Sequence, residues 1–356
     1  MTDRTLPSSP DSPRRRDRAF ALGLAGLALL LVAAGFIAGA RTGSSLRHRQ
    51  HPQEPLEQRL GGYRFINPLL DCEVNGDPLT FRELRPFKAR IELLLRQRTG
   101  TAPASFAAVY FRDLMNGPWF GINELARFTP ASLLKVPIVI ACLKQAERDP
   151  AFLRKQIRND LHEDRNRKQF VKPGETLLPD TPYSVEELIR RALVYSDNNA
   201  AALLGKAVNK EVLLATFRDL GVEAPRMNIM YDFMTVKRYS SFFRILFNSS
   251  YLGHEASQKT LEHLAQSSFR DGLVAGVPAH VLVAHKFGEY AETGPEGLKQ
   301  LHDCGIIYYP GHPYLLCVMA RGTDFGTMGS LIRDVSRTVY DEVSRQVPAP
   351  PAEGLP

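Results

Sequence analysis

With 356 residues, 44% hydrophobic and 23% charged, the chain has the composition of an ordinary globular protein and enough apolar material for one or two lobes plus tails. Its formal charge of +7 is unevenly spread: residues 1–60 hold nine Arg against five acids, and the remainder is close to balanced with no basic stripe. That distribution argues against a nucleic-acid partner.

Residues 1–18 read as a polar, Pro/Ser-bearing tail that ends in Arg14, Arg15, Arg16 and Arg18. Ala19 to Ala40 follows as an uncharged apolar run of 22 residues, long enough to span a bilayer. The arginine cluster predicts a cytoplasmic N-terminus, with everything after Arg41 on the outer side. Ala38-Gly39-Ala40 also fits a signal-peptide cleavage site, but the run exceeds the 7–15 apolar residues usual for a leader, so an uncleaved anchor is the expectation and a removed leader the alternative; either exports the main domain. Residues 41–62 read as a polar linker between membrane and domain.

Export permits disulfides, and four cysteines allow three full pairings. Cys142 and Cys317 lie in apolar runs and read as packed thiols. Cys72 and Cys304 have polar neighbours, which makes a Cys72 to Cys304 bridge the expectation.

Leu84, Phe87, Ile91, Leu94 and Leu95 fall at helical spacing within Thr80 to Arg98. Two strand-like runs, Ser105 to Phe111 and Trp119 to Asn123, flank the turn signal Met115-Asn116-Gly117-Pro118 and predict a hairpin. Phe128 to Lys144 is the central stretch. It reads as a buried helix opened by Thr129 and Pro130, and only Ser132 and Lys135 break its first apolar turns. Three residues apart on a helix, the Lys135 amine reaches the Ser132 hydroxyl. Burial lowers a lysine pKa, which turns the amine into a base beside a nucleophile.

Arg148 to Arg167 is dominated by charge and reads as solvated helices and loops. Ser184-Val185-Glu186-Glu187 is a capping box opening a helix to about Val194, which ends at Tyr195 to Ala200, and another helical run follows through Leu204. Leu213 to Leu220 and Thr235 to Tyr251 are further helices. Val281 to Glu289, Gly305 to Tyr309 and Tyr314 to Ala320 read as strands, and Leu331, Val335, Val339 and Val343 as a closing helix; residues 347–356, rich in proline, read as a frayed tail. The fold class expected is therefore α/β, of α+β type: an antiparallel sheet whose first and last portions meet, flanked by helices, with an all-helical lobe inserted over about residues 145–265 of a 63–346 domain.

Three short elements fall in order: Ser132-Leu133-Leu134-Lys135, Ser196-Asp197-Asn198 and Lys286-Phe287-Gly288. This pattern resembles the penicillin-recognising serine enzymes, the superfamily of class A β-lactamases and penicillin-binding proteins, with Ser-x-x-Lys, Ser-Asp-Asn and Lys-Thr-Gly motifs. The resemblance implies a serine hydrolase acting through a Ser132 acyl-enzyme on β-lactams or D-alanyl peptides, without a cofactor. Lys135 would be the base, Ser196 a proton relay, and Asn198 a ligand of Lys135 and substrate. Lys286 would be a cation for a substrate carboxylate. The backbone N–H groups of Ser132 and Glu289 would form the oxyanion hole, with Gly288 admitting substrate.

Two departures from the family pattern stand out. Phe287 replaces the threonine or serine that helps bind a substrate carboxylate, and the loop glutamate of class A is absent, leaving Glu223 and Asp232 as the only acids of that segment. A D-alanyl peptidase or transpeptidase and a non-catalytic wall-binding or β-lactam-sensing domain are therefore the alternatives. A metal hydrolase built on His280, His285, His302 and His312 lacks ligand spacing.

Overall fold

A computed structural model describes residues 57–72, 84–100, 103–115, 117–222, 232–292 and 297–347. Residues 1–18, the apolar run Ala19 to Ala40, Glu223 and residues 348–356 lie outside them. Among the described residues no helix is long and apolar enough to cross a membrane.

A short antiparallel pair comes first, β1 (Glu57–Arg59) with β2 (Leu69–Cys72). The end of the expected linker is thus structured: the Arg59 guanidinium donates to Asn67 O and Asn248 Oδ1, both at 2.8 Å. Helix α1 (Leu84–Arg98) buries Leu84, Phe87, Ile91 and Leu95, the face its periodicity predicts. β3 (Phe106–Asp113) and β4 (Trp119–Ile122) form the expected hairpin, and β5 (Arg127–Phe128) leads into a 3-10 turn, Ala131–Leu134.

That turn runs directly into α2 (Lys135–Arg148), whose Val136, Val139 and Ile140 are fully buried. At about 1.5–3 kcal/mol for each aliphatic side chain, these contacts pin the turn to the core. Strands β6 (Gln156–Arg158) and β7 (Pro182–Ser184) pair antiparallel around a long loop. Helices α3 (Val185–Val194), α4 (Asn198–Ala207) and α5 (Lys210–Asp219) follow. Ser184 caps α3 by accepting the Glu187 N–H, as the capping pattern requires, although the Glu187 side chain turns to Arg190 and Arg191 instead of back to Ser184.

β8 (Met234–Thr235) pairs with β5 and opens α6 (Val236–Asn248). Then comes α7 (His254–Ala265), a helix the sequence reading did not identify because half its buried face is Ser257 and Thr260. β9 (Val283–Ala291), β10 (Lys299–Ile307) and β11 (Tyr314–Gly322) precede the closing helix α8 (Phe325–Gln346). β10 begins six residues before the expected Gly305, since Gln300, His302 and Asp303 are buried polar residues that disguise it.

The five-stranded sheet has the order β4-β3-β11-β10-β9 and is antiparallel throughout, so its first and last portions do meet, at β3 and β11. One apolar cluster joins one face of the sheet to α2, α3, α4, α6 and α7; the other joins the opposite face to α1 and α8. Strands covered on both faces read as continuous apolar runs, which is why β11 shows no alternation.

Cys304 and Cys317 face each other across β10 and β11, with Cα atoms 4.0 Å apart, and are disulfide-bonded. This overturns the Cys72 to Cys304 expectation and the reading of Cys317 as a thiol: register decides the pairing, and local polarity does not. Cys142 is free and buried, and burial pushes its thiol up to about 12.

Candidate active site

The 3-10 turn puts Ser132 and Lys135 in line, because side chains three residues apart eclipse in that geometry. The Lys135 Nζ stands 2.5 Å from Ser132 Oγ, 2.6 Å from Asn198 Oδ1 and 3.1 Å from Ser196 Oγ. Lys135 is buried, and desolvation lowers its pKa to about 7 against the opposing pull of Asp197 and Glu289. Three acceptors suit an ammonium. Once the proton is lost, the Ser132 hydroxyl can donate into the lone pair that appears, which is the arrangement of a nucleophile and its base.

The turn itself is held from several sides. His302 Nε2 meets Thr129 O at 2.9 Å, the Thr129 N–H donates to Gln300 Oε1, and the Tyr239 hydroxyl donates to Leu133 O. Burial lowers His302 to about 4, so it remains a neutral brace. Thr129 does not cap the helix; its hydroxyl is bound to Asp232. Ala131 and Ser196 both take left-handed backbone conformations, φ +48° and +57°. For residues other than glycine such conformations cost about 1–3 kcal/mol each and are retained where the surroundings impose them.

Ser196 and Asn198 flank Asp197, the N-cap of α4, whose Oδ1 accepts the N–H groups of Asn199 and Ala200. Asn166 completes the cap: its Nδ2 donates to Asp197 Oδ1 at 3.0 Å and its Oδ1 accepts the Asn198 N–H at 2.7 Å. Gln169 Nε2 holds Ser196 O, and Asn198 Nδ2 donates to Arg165 O. Arg148 to Arg167 is expected in solvent, yet Asn166 within it is 3% exposed, and a lone amide within a charged loop gives no signal of that role; Gln169, just beyond it, is 9% exposed.

The Lys286 amine approaches from β9, donating to Ser196 Oγ at 2.8 Å and to Phe287 O at 3.0 Å. It is fully buried, and desolvation followed by the neighbouring Lys135 pushes its pKa well below the lysine range. The expected cation for a substrate carboxylate is therefore enclosed. Phe287 is also fully buried; its ring lies 4.2 Å from that amine and stacks on Phe269 at 4.4 Å. Gly288 permits the close approach of β9 to the turn, since a Cβ there would stand 2.8 Å from Pro130 O and 2.9 Å from a Leu133 side-chain carbon. The half-buried Glu289 carboxylate accepts the N–H groups of Phe170, at 2.7 Å, and Val171, at 3.1 Å. Burial raises its pKa, opposed by those amides and by the two lysines.

Asp232 is not joined to Ser132 or Lys135. Its carboxylate accepts from Thr129 Oγ1 and Gln300 Nε2 and pairs with Arg321 at 2.8 Å, which makes it a brace of the β5–β8 strap. The histidines do not converge either: His285 pairs with Asp303 at 2.8 Å and His302 with Thr129 O. Among the described residues no group of His, Cys, Asp or Glu has the arrangement of a metal centre.

The model of the beta-lactamase enzyme family matches residues 87–343. No curated protein matches the chain. Among solved structures, PBP-A is 20% identical, with a TM-score of 0.59 over 72% of this chain and 96% of its own. A β-lactamase from Xanthomonas campestris pv. campestris is 21% identical, with a TM-score of 0.59 over 73% of this chain and 98% of its own. One from Chitinophaga pinensis is 19% identical, with a TM-score of 0.59 over 72% and 99%. At these identities the likeness is one of fold.

Proposed function

The chain belongs to the beta-lactamase enzyme family, and it is a serine hydrolase of that family; from this premise we propose that it opens β-lactam amide bonds through an acyl-enzyme on Ser132. The observation that carries the reading is the 2.5 Å contact between a buried amine of pKa about 7 and the Ser132 hydroxyl. Neutral Lys135 takes the Ser132 proton as Oγ bonds to the carbonyl carbon. The backbone N–H groups of Ser132 and Glu289 hold the oxyanion, and Ser196, supported by Lys286, passes a proton to the departing nitrogen. Asn198 keeps Lys135 aimed and leaves its amide N–H groups toward substrate. PBP-A, a fold neighbour, has a variant solved as an acyl-enzyme with penicillin G, which supports the same covalent chemistry here.

A second reading, a D-alanyl peptidase or transpeptidase, is favoured by one observation: among the described residues no carboxylate hydrogen-bonds Ser132 or Lys135, so a water-activating acid for release is not evident. We further propose that Ala19 to Ala40 anchors the domain on the outer side of a membrane; the Cys304–Cys317 disulfide supports an oxidising location. Incubation with a fluorescent penicillin is expected to label the protein covalently and Ser132→Ala not at all. Labelling of that variant would refute the acyl-enzyme. Turnover of a chromogenic cephalosporin favours the first reading, and a persistent label the second.

A further inference from the structure

The surroundings of Lys286 leave no face for an anion. Its amine is fully buried, two of its directions are taken by Ser196 Oγ and Phe287 O, and the Phe287 ring lies 4.2 Å away. That ring, stacked on Phe269, also supplies no hydroxyl. Beyond Gly288 the next side chain on β9 is itself a carboxylate. Glu289 is fastened to the N–H groups of Phe170 and Val171, and Phe170 in turn stacks on Phe325 at 4.8 Å. The loop from Arg165 to Val171, whose other end holds Ser196 and Asn198, is thereby tied to the free edge of the sheet. The negative charge on Glu289 acts on both Lys135 and Lys286.

We propose that this site selects amides whose leaving-group side is uncharged, and that Glu289 enforces the selection by setting a fixed carboxylate where a substrate carboxylate would lie. The inference rests on the acyl-enzyme reading above and names its substrate class. A free carboxylate brought beside Glu289 meets like charge in a half-buried setting, whereas an ester or a continuing amide does not. Glu289 is in this sense a specificity residue; its backbone N–H is a separate matter and survives substitution of the side chain.

Penicillin G and its methyl ester differ at that carboxyl alone, ionised in one and capped by a methyl group in the other. With either, Ser132 Oγ bonds to the lactam carbonyl carbon as the C–N bond breaks, and the hydroxyl proton passes to Lys135 and, through Ser196, to the released nitrogen. Acylation of the full-length protein, followed by intact mass, is expected to be faster with the ester by on the order of tenfold. Glu289→Gln keeps the shape and one acceptor oxygen for the loop amides and should lower the ester-to-acid ratio by about tenfold; because the Glu289 charge also acts on Lys135, the ratio, and not either rate alone, is the readout. Phe170→Ala loosens the same loop without altering charge and should leave the ester-to-acid ratio where it is. The proposal is overturned by a wild-type preference for the acid, by an unchanged ratio in Glu289→Gln, or by a Phe170→Ala shift as large as that of Glu289→Gln. If neither compound gives an adduct that Ser132→Ala abolishes, the acyl-enzyme reading itself fails and this inference with it.

Discussion

Two lysine amines meet at one hydroxyl, and their differences are instructive. Lys135 and Lys286 both donate to Ser196 Oγ, both are buried, and both lose basicity chiefly to desolvation. Only Lys135 touches the half-buried Ser132, and its pKa is brought down to about 7. Lys286 is closed in by Phe287 above and beside it. Depressed basicity alone would nominate either as the base; contact with the Ser132 hydroxyl separates them. The same burial seats one amine against Ser132 and the other against Ser196 and the Phe287 carbonyl.

The difference is broken most severely by Lys135→Ala. Loss of a positioned base should slow acylation by about 10²–10⁴-fold, measured as single-turnover adduct formation. In the intact protein that rate should rise with pH through about 7 and level off above it, since only the neutral amine accepts the Ser132 proton. Stability carries the same sign. The unfolded chain keeps its lysine protonated up to about 10.5, so between about 7 and 10.5 it binds more protons than the folded one. Stability therefore rises across that window, and the cost of burying the amine is in full force below pH 7. Lys135→Ala should accordingly not lower the thermal midpoint at pH 6, and a large drop there would contradict the burial argument.

On the Lys286 side, Phe287→Ala tests whether the enclosing ring is chiefly packing. Removing a fully buried aromatic stacked on Phe269 should cost about 3–5 kcal/mol in chemical denaturation. Acylation at a temperature where the variant is folded should change far less than in Lys135→Ala.

Asn166→Ala is expected to be milder, about 1–3 kcal/mol, because it strips a buried partner from Asp197 and leaves the Asn198 N–H unanswered. Its distinguishing sign is a fall in acylation with little change in the pH midpoint, as Asn198 loses its aim on Lys135.

What could be read from the chain beforehand follows the same divide. Ser132 and Lys135 were visible because a hydroxyl and an amine are conspicuous in an apolar run, and Lys286 because it begins a short motif on an apolar strand. The helices with a clean apolar face, α1 and α8, were visible for the same reason. Asn166 and Gln169 were not, because a polar residue in a charged loop looks solvated until the loop's far contacts are known. The Cys304–Cys317 bond depends on cross-strand register, which is a property of two segments together, and the neighbours of each cysteine in sequence pointed elsewhere. Buried polar residues hid the start of β10 and the whole of α7.

The smallest effect expected is the one that most cleanly removes a rival for the role of second base. Asp232 holds Thr129 and Gln300 and pairs with an Arg321 guanidinium, with its side chain 44% exposed. An ion pair in that setting contributes roughly 0–1 kcal/mol. Asp232→Asn keeps the shape and one acceptor oxygen for Thr129, so the thermal midpoint should barely move. Acylation should be unchanged, and so should the rate at which a penicillin adduct is lost from Ser132. Were Asp232 the acid that activates water, adduct loss would slow by orders of magnitude while acylation stayed as it was, an outcome that no bracing role can produce.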